Sequence, residues 1–522
     1  MKGKEFFRKA HKWVGLSLSV LVVLFALSGI VLNHRSFFAS VEVNRAYLPK
    51  AYQYTNWNNA SVRATLKLSD NNILIYGNIG VWKTDSTFQT FRNLNDGFGV
   101  GIDSRKIAKV LPTNRGLLAG TLFGLYKYSE EKARWIKLTL PVKEENVVDL
   151  LQKGDSIYVL TRSNLLITTD LNRFTLQELP KPEGYDNKVG LFKTLWVLHS
   201  GEIYGHLGKV VVDVAALILI VLCIGGIVLF FSKKGLKRPA ISKLKRDKLK
   251  KRFKWNLTLH NRLGWITGIF LLFTALTGMF LRPPLLVAIG NARVNKIPFT
   301  ELDTPNPWYD LLRRIVYIPD SDSFLISTSE GFYAFDALFS TEAKRFDPQP
   351  PASIMGVTVL ELLGENTLMV GSFEGLFSWN YTTGEVYDLI KQKPYVRPLK
   401  MGPPVGDFKV SGFSLNYPKQ PVVFDYDRGA LFAGVYALKT VSNVSGISDN
   451  VLTSSVMDGV EMPKIVLDNS PMSLWSLALE VHTGRIYSAL LGPLYILVVP
   501  LGGLLILFTL ISGLVVWFKR KR

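Results

Sequence analysis

The sequence predicts a membrane-embedded α-helical bundle joined to a large, propeller-like all-β domain. Three observations support this fold class. Four apolar segments of about twenty residues are each long enough to cross a bilayer core as a helix; they run roughly over 14–33, 210–231, 265–281 and 494–518. Two long polar regions between them carry short β-type runs around glycine turns. The spans and their flanks occur twice along the chain, which indicates an internal duplication.

The order of these segments predicts four transmembrane helices, two outer β regions and one basic loop. The expected bounds are 1–34 for the first transmembrane helix, 35–198 for the first β region, 199–232 for the second helix, 233–257 for the basic loop, 258–282 for the third helix, 283–481 for the second β region, and 482–522 for the fourth helix with a basic tail.

The net charge of +21 is concentrated at the ends of the spans. Five Lys/Arg residues precede the first span, twelve lie between Lys233 and Lys254, and four end the chain. Positive residues flank the cytoplasmic ends of membrane helices, so the charge indicates topology and lipid contact rather than nucleic acid binding. We therefore expect a multi-pass protein of a bacterial inner membrane, with both termini in the cytoplasm and both β regions in the periplasm.

All six histidines lie near the ends of the apolar segments. His11-x-x-x-Gly15 before the first span matches His260-x-x-x-Gly264 before the third, and His-[Ser/Thr]-Gly-x-Ile-Tyr occurs at both 199–204 and 482–487. Ionisable residues are costly in a membrane and usually functional there, and imidazole is a common axial ligand of haem iron.

The duplication predicts which histidines meet. A pseudo-two-fold axis along the membrane normal would bring His11 opposite His260 on the inner side, and His199 opposite His482 on the outer side. His34 and His206 have no counterpart at the equivalent positions, which hold Pro283 and Ala489. A rival pair, His34 with His206, could instead hold the outer haem or form a further metal or substrate site. Interfacial anchoring is the alternative role for all of these histidines.

Each span contains a pair of a small residue and a glycine: Ser28-Gly29, Gly225-Gly226, Thr277-Gly278 and Ser512-Gly513. Five helical turns separate His11 from Gly29 and His260 from Gly278, so each histidine shares a face with a glycine. Such a glycine would admit a flat macrocycle or a neighbouring helix. Lys209 and Asp213, four residues apart, are expected to form an ion pair.

The outer regions contain five hairpin-like segments, whose turns lie near Gly80, Gly124, Asn164, Gly331 and Gly375. Their spacing of 40 to 44 residues is typical of four-stranded propeller blades. The two regions would close into one shared propeller or remain two separate β sandwiches. Five tryptophans could line a docking face, although core packing explains most of them: Trp57, Trp82, Trp135, Trp308 and Trp379.

The repeated motifs resemble those of the PepSY-associated transmembrane family, whose members include haem-containing ferric-siderophore reductases of bacterial inner membranes. The resemblance covers the four spans and their flanks, and it implies b-type haem, about two per chain, bound by the histidines that match the motif: His11, His260, His199 and His482. The outer regions depart from the family, because no small PepSY module is recognisable there, and substrate identity does not transfer.

The expected function is therefore transmembrane electron transfer by a haem-dependent oxidoreductase, and the expected acceptor is a ferric chelate or siderophore, which would link the protein to iron uptake. No dinucleotide-binding fingerprint occurs, so electrons are expected from a quinol or a separate flavoprotein. Phe25 and Trp265 could shorten the gap between the two haems. The alternative is a non-enzymatic, membrane-anchored binding or regulatory protein with a β-propeller receptor domain.

Overall fold

The computed structural model describes residues 2–238, 242–351, 356–396, 406–417, 421–432 and 462–521. These residues form two compact units. The membrane unit comprises Met1–Phe38, Asn187–Thr304 and Leu474–Arg522, and the β unit comprises Ala39–Asp186 and Pro305–Ser473. Both halves of the chain contribute to each unit, so the two outer regions build one β domain rather than two.

The membrane unit is helical, and only one short helix of the described chain lies in the β unit. The helices are α1 (Lys2–Asn33), α2 (Arg35–Phe38), α3 (Leu191–Ser200), α4 (Gly205–Leu236), α5 (Lys243–Met279), α6 (Leu285–Ile289), α7 (Lys464–Asp468), α8 (Leu474–His482), α9 (Ser488–Leu491) and α10 (Val498–Lys521).

Four of these helices, α1, α4, α5 and α10, are long and apolar enough to cross a membrane, as predicted. They pack in the cyclic order α1, α4, α5, α10, and each contacts its two neighbours. The short helix α8 packs on α1, and α3 packs on α5. Since α1 and α5 are equivalent in the duplication, the contacts of the two halves match, which supports the predicted two-fold repeat.

The chain breaks between His199 and the second span. Helix α3 ends at Gly201, whose φ of 80° is left-handed, and a 3-10 turn over Glu202–Tyr204 precedes α4. The second spanning helix therefore begins at Gly205 rather than at residue 199, because a glycine C-cap separates it from His199. Helices α3 and α8 lie almost wholly within the ranges assigned to the outer β regions, 35–198 and 283–481.

The strands of the β unit form mainly antiparallel sheets. A seven-stranded sheet joins β2 (Ala64–Lys67), β3 (Ile73–Gly77), β4 (Gly80–Thr84) and β5 (Phe91–Asn93) to β25 (Val410–Ser414), β26 (Val422–Asp425) and β27 (Gly429–Phe432). The link between the two sets is a parallel pairing of β2 with β25, Ala64 opposite Phe413.

Four further sheets follow along the chain. The first contains β6 (Ile107–Thr113), β7 (Gly116–Thr121), β8 (Gly124–Ser129) and β9 (Arg134–Leu138), and the second contains β10 (Val147–Lys153), β11 (Ser156–Thr161), β12 (Leu165–Thr168) and β13 (Thr175–Gln177). The third contains β16 (Leu312–Ile318), β17 (Ser323–Thr328), β18 (Gly331–Asp336) and β19 (Lys344–Arg345). The fourth contains β20 (Val357–Gly364), β21 (Thr367–Ser372), β22 (Gly375–Asn380), β23 (Val386–Asp388) and β24 (Lys393–Pro394). Two-stranded pairs are β1 (Glu42–Val43) with β28 (Met472–Ser473) and, in the membrane unit, β14 (Lys188–Gly190) with β15 (Arg293–Asn295).

All five predicted hairpins are present. Each pairs two antiparallel strands in register, for example Ile75 with Trp82 and Val370 with Phe377. Gly124, Gly331 and Gly375 have φ near 140°, a conformation that favours glycine at the turn. The prediction of a membrane helical bundle with a large β-rich domain is confirmed, and closure of the sheets into a propeller stays a prediction.

The five tryptophans proposed for a docking face are instead core residues. Each is at most 2% exposed. Trp82 Nε1 donates to the Ile79 carbonyl and Trp135 Nε1 donates to the Leu94 carbonyl. The docking role is wrong for these residues, because burying a large aromatic ring stabilises the sheet packing.

Phe324→Ala is expected to destabilise the β unit strongly. The Phe324 ring is fully buried and contacts Tyr158 of the neighbouring sheet and Phe339, both with ring centres 4.9 Å away. Truncating a buried phenylalanine costs about 3–5 kcal/mol, which should lower the unfolding midpoint by roughly 6 °C or more. Thermal unfolding of the full chain in detergent measures this. Leu338→Ala, at a side chain 80% exposed, is the control and should leave the midpoint unchanged.

Candidate functional site

The six histidines meet as three pairs, all within the membrane unit. The ring centres of His11 and His260 are 6.1 Å apart, and those of His199 and His482 are 6.0 Å apart. His34 and His206 form the third pair, at 6.3 Å. The structure thus brings together both pairs that the duplication predicts and also the rival pair.

Backbone carbonyls hold three of the four motif histidines through Nδ1. His11 Nδ1 is 2.9 Å from the Thr509 carbonyl oxygen, His199 Nδ1 is 3.0 Å from that of Thr274, and His482 Nδ1 is 3.0 Å from that of Phe25. A carbonyl can only accept, so each Nδ1 carries the proton and Nε2 keeps a free lone pair. The neighbouring carbonyl thereby orients the ring and selects the tautomer that can bind a metal.

His260 differs slightly from the other three. Its Nδ1 is buried beside the Leu222 carbonyl but makes no hydrogen bond of normal geometry to any described residue. The position of Leu222 relative to Gly225-Gly226 is nevertheless the position of Thr509 relative to Ser512-Gly513. In both halves, therefore, the carbonyl three residues before the small-residue pair lies beside the histidine ring.

The small-residue pairs of the four spans each face a histidine of another helix. A Cβ on Gly278 would lie 2.6 Å from the His199 ring, and one on Gly513 would lie 2.9 Å from the His11 ring. Gly29 faces His482 at 3.3 Å, and Gly225 faces His260 at 3.6 Å. These contacts run between helices, since each glycine lies beside a histidine of another helix.

Hydroxyl groups beside these glycines also reach the rings, a feature that the sequence reasoning missed. Ser28 Oγ lies 3.1 Å from His482 Nδ1, Ser512 Oγ lies 3.4 Å from His11 Nδ1, and Thr277 Oγ1 lies 3.5 Å from His199 Nδ1. The available signal was the hydroxyl residue that precedes glycine in three of the four pairs. The fourth pair has Gly225 there instead.

The backbone explains why the two halves differ in register after the second histidine. Gly205 and Gly492 have nearly the same dihedral angles, φ 57° and ψ −136° against φ 52° and ψ −138°. Between His482 and Gly492 the second half holds the extra four-residue helix α9. The position equivalent to His206 is therefore Pro493, not Ala489 as expected from the sequence.

The third pair is built differently from the other two. His34 Nε2 lies 2.5 Å from Asp213 Oδ2, and Asn33 Nδ2 donates to Asp213 Oδ1 at 2.8 Å. A carboxylate thus occupies the His34 nitrogen that would otherwise bind iron. In the second half the positions of His34, His206 and Asp213 are all proline: Pro283, Pro493 and Pro500.

The expected ion pair between Lys209 and Asp213 is not formed. Lys209 Nζ lies 4.0 Å from Glu202 Oε2, while Asp213 pairs with His34. A base that precedes an acid by four residues on a helix is the weaker orientation of such an ion pair. Asp213 instead pairs with His34, which is distant in sequence.

The two motif pairs lie at opposite ends of the helical bundle. His482 contacts Phe25, Ser28 and Gly29 of α1, which follow His11 by 14 to 18 residues on the same continuous helix. At 1.5 Å per residue this separates the two levels by roughly 21–27 Å. Phe25 contacts the His482 ring at 5.9 Å, whereas Trp265 stacks on Trp517 at 4.0 Å.

The geometry fits two imidazoles bound on opposite sides of one metal. A metal–nitrogen bond of about 2 Å, as histidine makes to zinc, places the centres of two opposed rings about 6 Å apart. Within the described part of the chain, no group of three His, Cys, Asp or Glu residues could hold a metal ion. Two protein ligands alone suit a metal whose remaining ligands come from a macrocycle, as in haem.

Two solved structures show distant similarity to this chain. The extracellular domain of the putative hybrid two-component system BT4673 from B. thetaiotaomicron matches with a TM-score of 0.36 and 12% identity, over 77% of this chain and 35% of that one. The computationally designed Ika8 protein matches with a TM-score of 0.29 and 9% identity, over 71% and 85% of the two chains. This chain therefore spans about a third of the BT4673 domain.

A search of curated proteins finds no match. The family model described as the PepSY-associated TM region matches residues 8–520 and thus spans the four helices together with the β unit between them. On this match, and with the duplicated helices and paired histidines, the chain belongs to the PepSY-associated TM family.

Proposed function

We propose that this protein carries single electrons across a bacterial inner membrane with two b-type haems, each held by two histidines. His11 and His260 hold the inner haem, and His199 and His482 hold the outer one. The observation that carries the proposal is the spacing of the two ring pairs, 6.1 and 6.0 Å, with Nδ1 of three rings bound to carbonyls and Nε2 left to bind iron.

The protein contributes orientation and environment. Bound haem iron changes between its ferric and ferrous states and so accepts and donates one electron at a time. The carbonyls of Thr509, Thr274 and Phe25 fix the ring planes and raise the basicity of the ligating nitrogens. The small-residue pairs let each ring lie against a helix and exclude water from its protonated side.

The outer pair is assigned to His199 and His482 rather than to His34 and His206. His199 and His482 repeat the pattern of the inner pair, with Nδ1 on a carbonyl and a small-residue pair beneath the ring. His34 instead directs Nε2 at Asp213. Pairing with a carboxylate accounts for a polar group near the membrane without requiring iron.

The topology follows from charge. The end of the bundle that carries His11 and His260 also carries the basic segments, so it is assigned to the cytoplasm and the β unit to the periplasm. The electron donor is a quinol or a separate flavoprotein. The acceptor is a ferric chelate such as a siderophore, which makes the protein a ferric-chelate reductase in its physiological role.

We also infer that the β unit closes as a propeller. Strands β6, β10, β16 and β20, the first strands of their sheets, contact one another in that order. β20 contacts β25, β25 pairs with β2, and β3 contacts β6. This succession of contacts, with the hairpin period of about 40 residues, supports a ring of six blades, to which the seven-stranded sheet contributes two, β2–β5 and β25–β27.

Purified protein from haem-replete cells should be red and hold two haems per chain. The measurement is a visible spectrum before and after dithionite, with haem quantified as its pyridine complex. We expect a Soret band and sharp α and β bands on reduction, because two histidines would hold each haem. Ferric citrate or a ferric hydroxamate should then abolish the reduced bands. A colourless protein would reject haem binding and favour the receptor or regulatory function.

A further inference from the structure

Charged side chains of the β unit converge where the first strands of its sheets meet. Arg63 directly precedes β2, Lys109 lies on β6, Asp149 on β10, Arg314 on β16 and Glu361 on β20. Strands β6, β10, β16 and β20 contact one another in succession, and β2 pairs with β3, which contacts β6. The cluster is remote in sequence from all six histidines.

Most members of the cluster are paired. Arg314 Nη1 lies 3.1 Å from Asp149 Oδ1 and its Nη2 donates to the Thr358 carbonyl at 2.8 Å. Asp149 Oδ2 accepts from the Ile315 amide at 2.9 Å. Lys109 Nζ lies 3.7 Å from Glu361 Oε1. Both acids are therefore already engaged.

Arg63 is the unpaired member. Its guanidinium forms no hydrogen bond or ion pair with any residue in the described ranges, although its side chain is only partly accessible. Burial and then repulsion by Arg314 lower the Arg63 pKa to about 10. A poorly solvated cation without a partner is destabilising, and the usual remedy is an anion that makes two parallel hydrogen bonds to the guanidinium.

We propose that Arg63 anchors an internal anion-binding site in the β unit, which takes the carboxylate or phosphate group of a small ligand. Three cations and two acids leave the cluster with one net positive charge, which a bound oxyanion would offset. Arg314 and Lys109 add to the positive potential at the site, while their own partners hold them in place. The proposal concerns the β unit alone and does not depend on haem binding.

The test is the thermal unfolding of the full chain in detergent with citrate, inorganic phosphate or chloride at matched ionic strength. Citrate or phosphate at saturation should raise the midpoint by about 2 °C or more, because a ligand of the folded state stabilises it. Chloride should not, since it lacks the paired oxygens that match the guanidinium. Citrate against phosphate distinguishes the carboxylate from the phosphate source.

Arg63→Gln removes the charge and should weaken binding roughly ten- to a hundredfold in calorimetric titration, the loss expected for a charge-assisted hydrogen bond. Arg134→Gln, at an exposed side chain of strand β9, is the matched control and should bind normally. Equal affinity in the Arg63→Gln protein, or no difference between the oxyanions and chloride in the parent, would overturn the proposal. Retained haem spectra in both variants would show that any loss is confined to the β unit.

Discussion

His11→Ala and His260→Ala should each remove the same haem, leaving one haem per chain. The two rings are 6.1 Å apart and make the only protein bonds that we assign to the inner iron. Loss of either ligand leaves a single imidazole in a site shaped for two. The double variant should therefore lose no more haem than either single variant, which is the non-additive behaviour of residues that act as a unit. His199→Ala and His482→Ala should likewise remove the other haem.

The first measurement is the number of haems per chain, determined as the pyridine complex. The second is a low-temperature spectrum, in which the α bands of the inner and outer haems are resolved. The control variants are His34→Ala and His206→Ala, which belong to the third pair and should retain both haems. Full haem content in the His11→Ala and His260→Ala proteins would refute the inner pairing. If the control variants lost the outer haem while the His199→Ala and His482→Ala proteins kept it, the outer haem would be assigned to His34 and His206 instead.

Much of this site could be predicted because duplication constrains it twice. His11 and His260 occupy equivalent positions of two repeats, and a two-fold axis brings equivalent positions at the axis together. In the structure the centres of those two rings lie 6.1 Å apart. A single copy of either motif would have carried little information, since one boundary histidine is equally consistent with an interfacial anchor.

The parts that sequence did not predict depend on which helix faces which. Period and spacing place Gly278 on the same face as His260, but they do not show that His199 of a different helix lies against it. The ion pair of Asp213 with His34 has the same origin, because a local partner four residues away was the only one visible in the sequence. Tertiary contacts decide both cases.

In the β unit, the sequence predicts the local hairpins but not the long-range pairing of strands. Strand alternation and glycine turns identify all five hairpins, since these signals are local. The parallel pairing of Ala64 with Phe413, residues almost 350 positions apart, has no such signal, and it is this pairing that joins the two outer regions in one sheet. The sequence could likewise predict the burial of Trp82 and Trp379 only from the general tendency of tryptophan to pack in protein cores.

Gly278→Ala should displace the outer haem, whereas Gly264→Ala on the same helix should not. A Cβ on Gly278 would lie 2.6 Å from His199 Cε1 and 3.0 Å from its Nδ1, so the ring must move away from its carbonyl partner. At Gly264 the nearest atom to a new Cβ is Leu222 Cδ2, at an ordinary 3.9 Å. Alanine gains about 1 kcal/mol of helix propensity over glycine in a helix interior such as Gly264, and it gains no more than that at Gly278, one residue before the end of α5.

The pair of variants therefore separates ring placement from helix stability. Haem content and the reduced α band should fall to the inner-haem value in the Gly278→Ala protein and stay at the parental value in the Gly264→Ala protein. A ligand displaced by even 1 Å weakens a preorganised site severely, which is why a single methyl group suffices. Equal haem content in both variants would mean that the His199 ring does not depend on this contact, and the role assigned to the small-residue pairs would then be rejected.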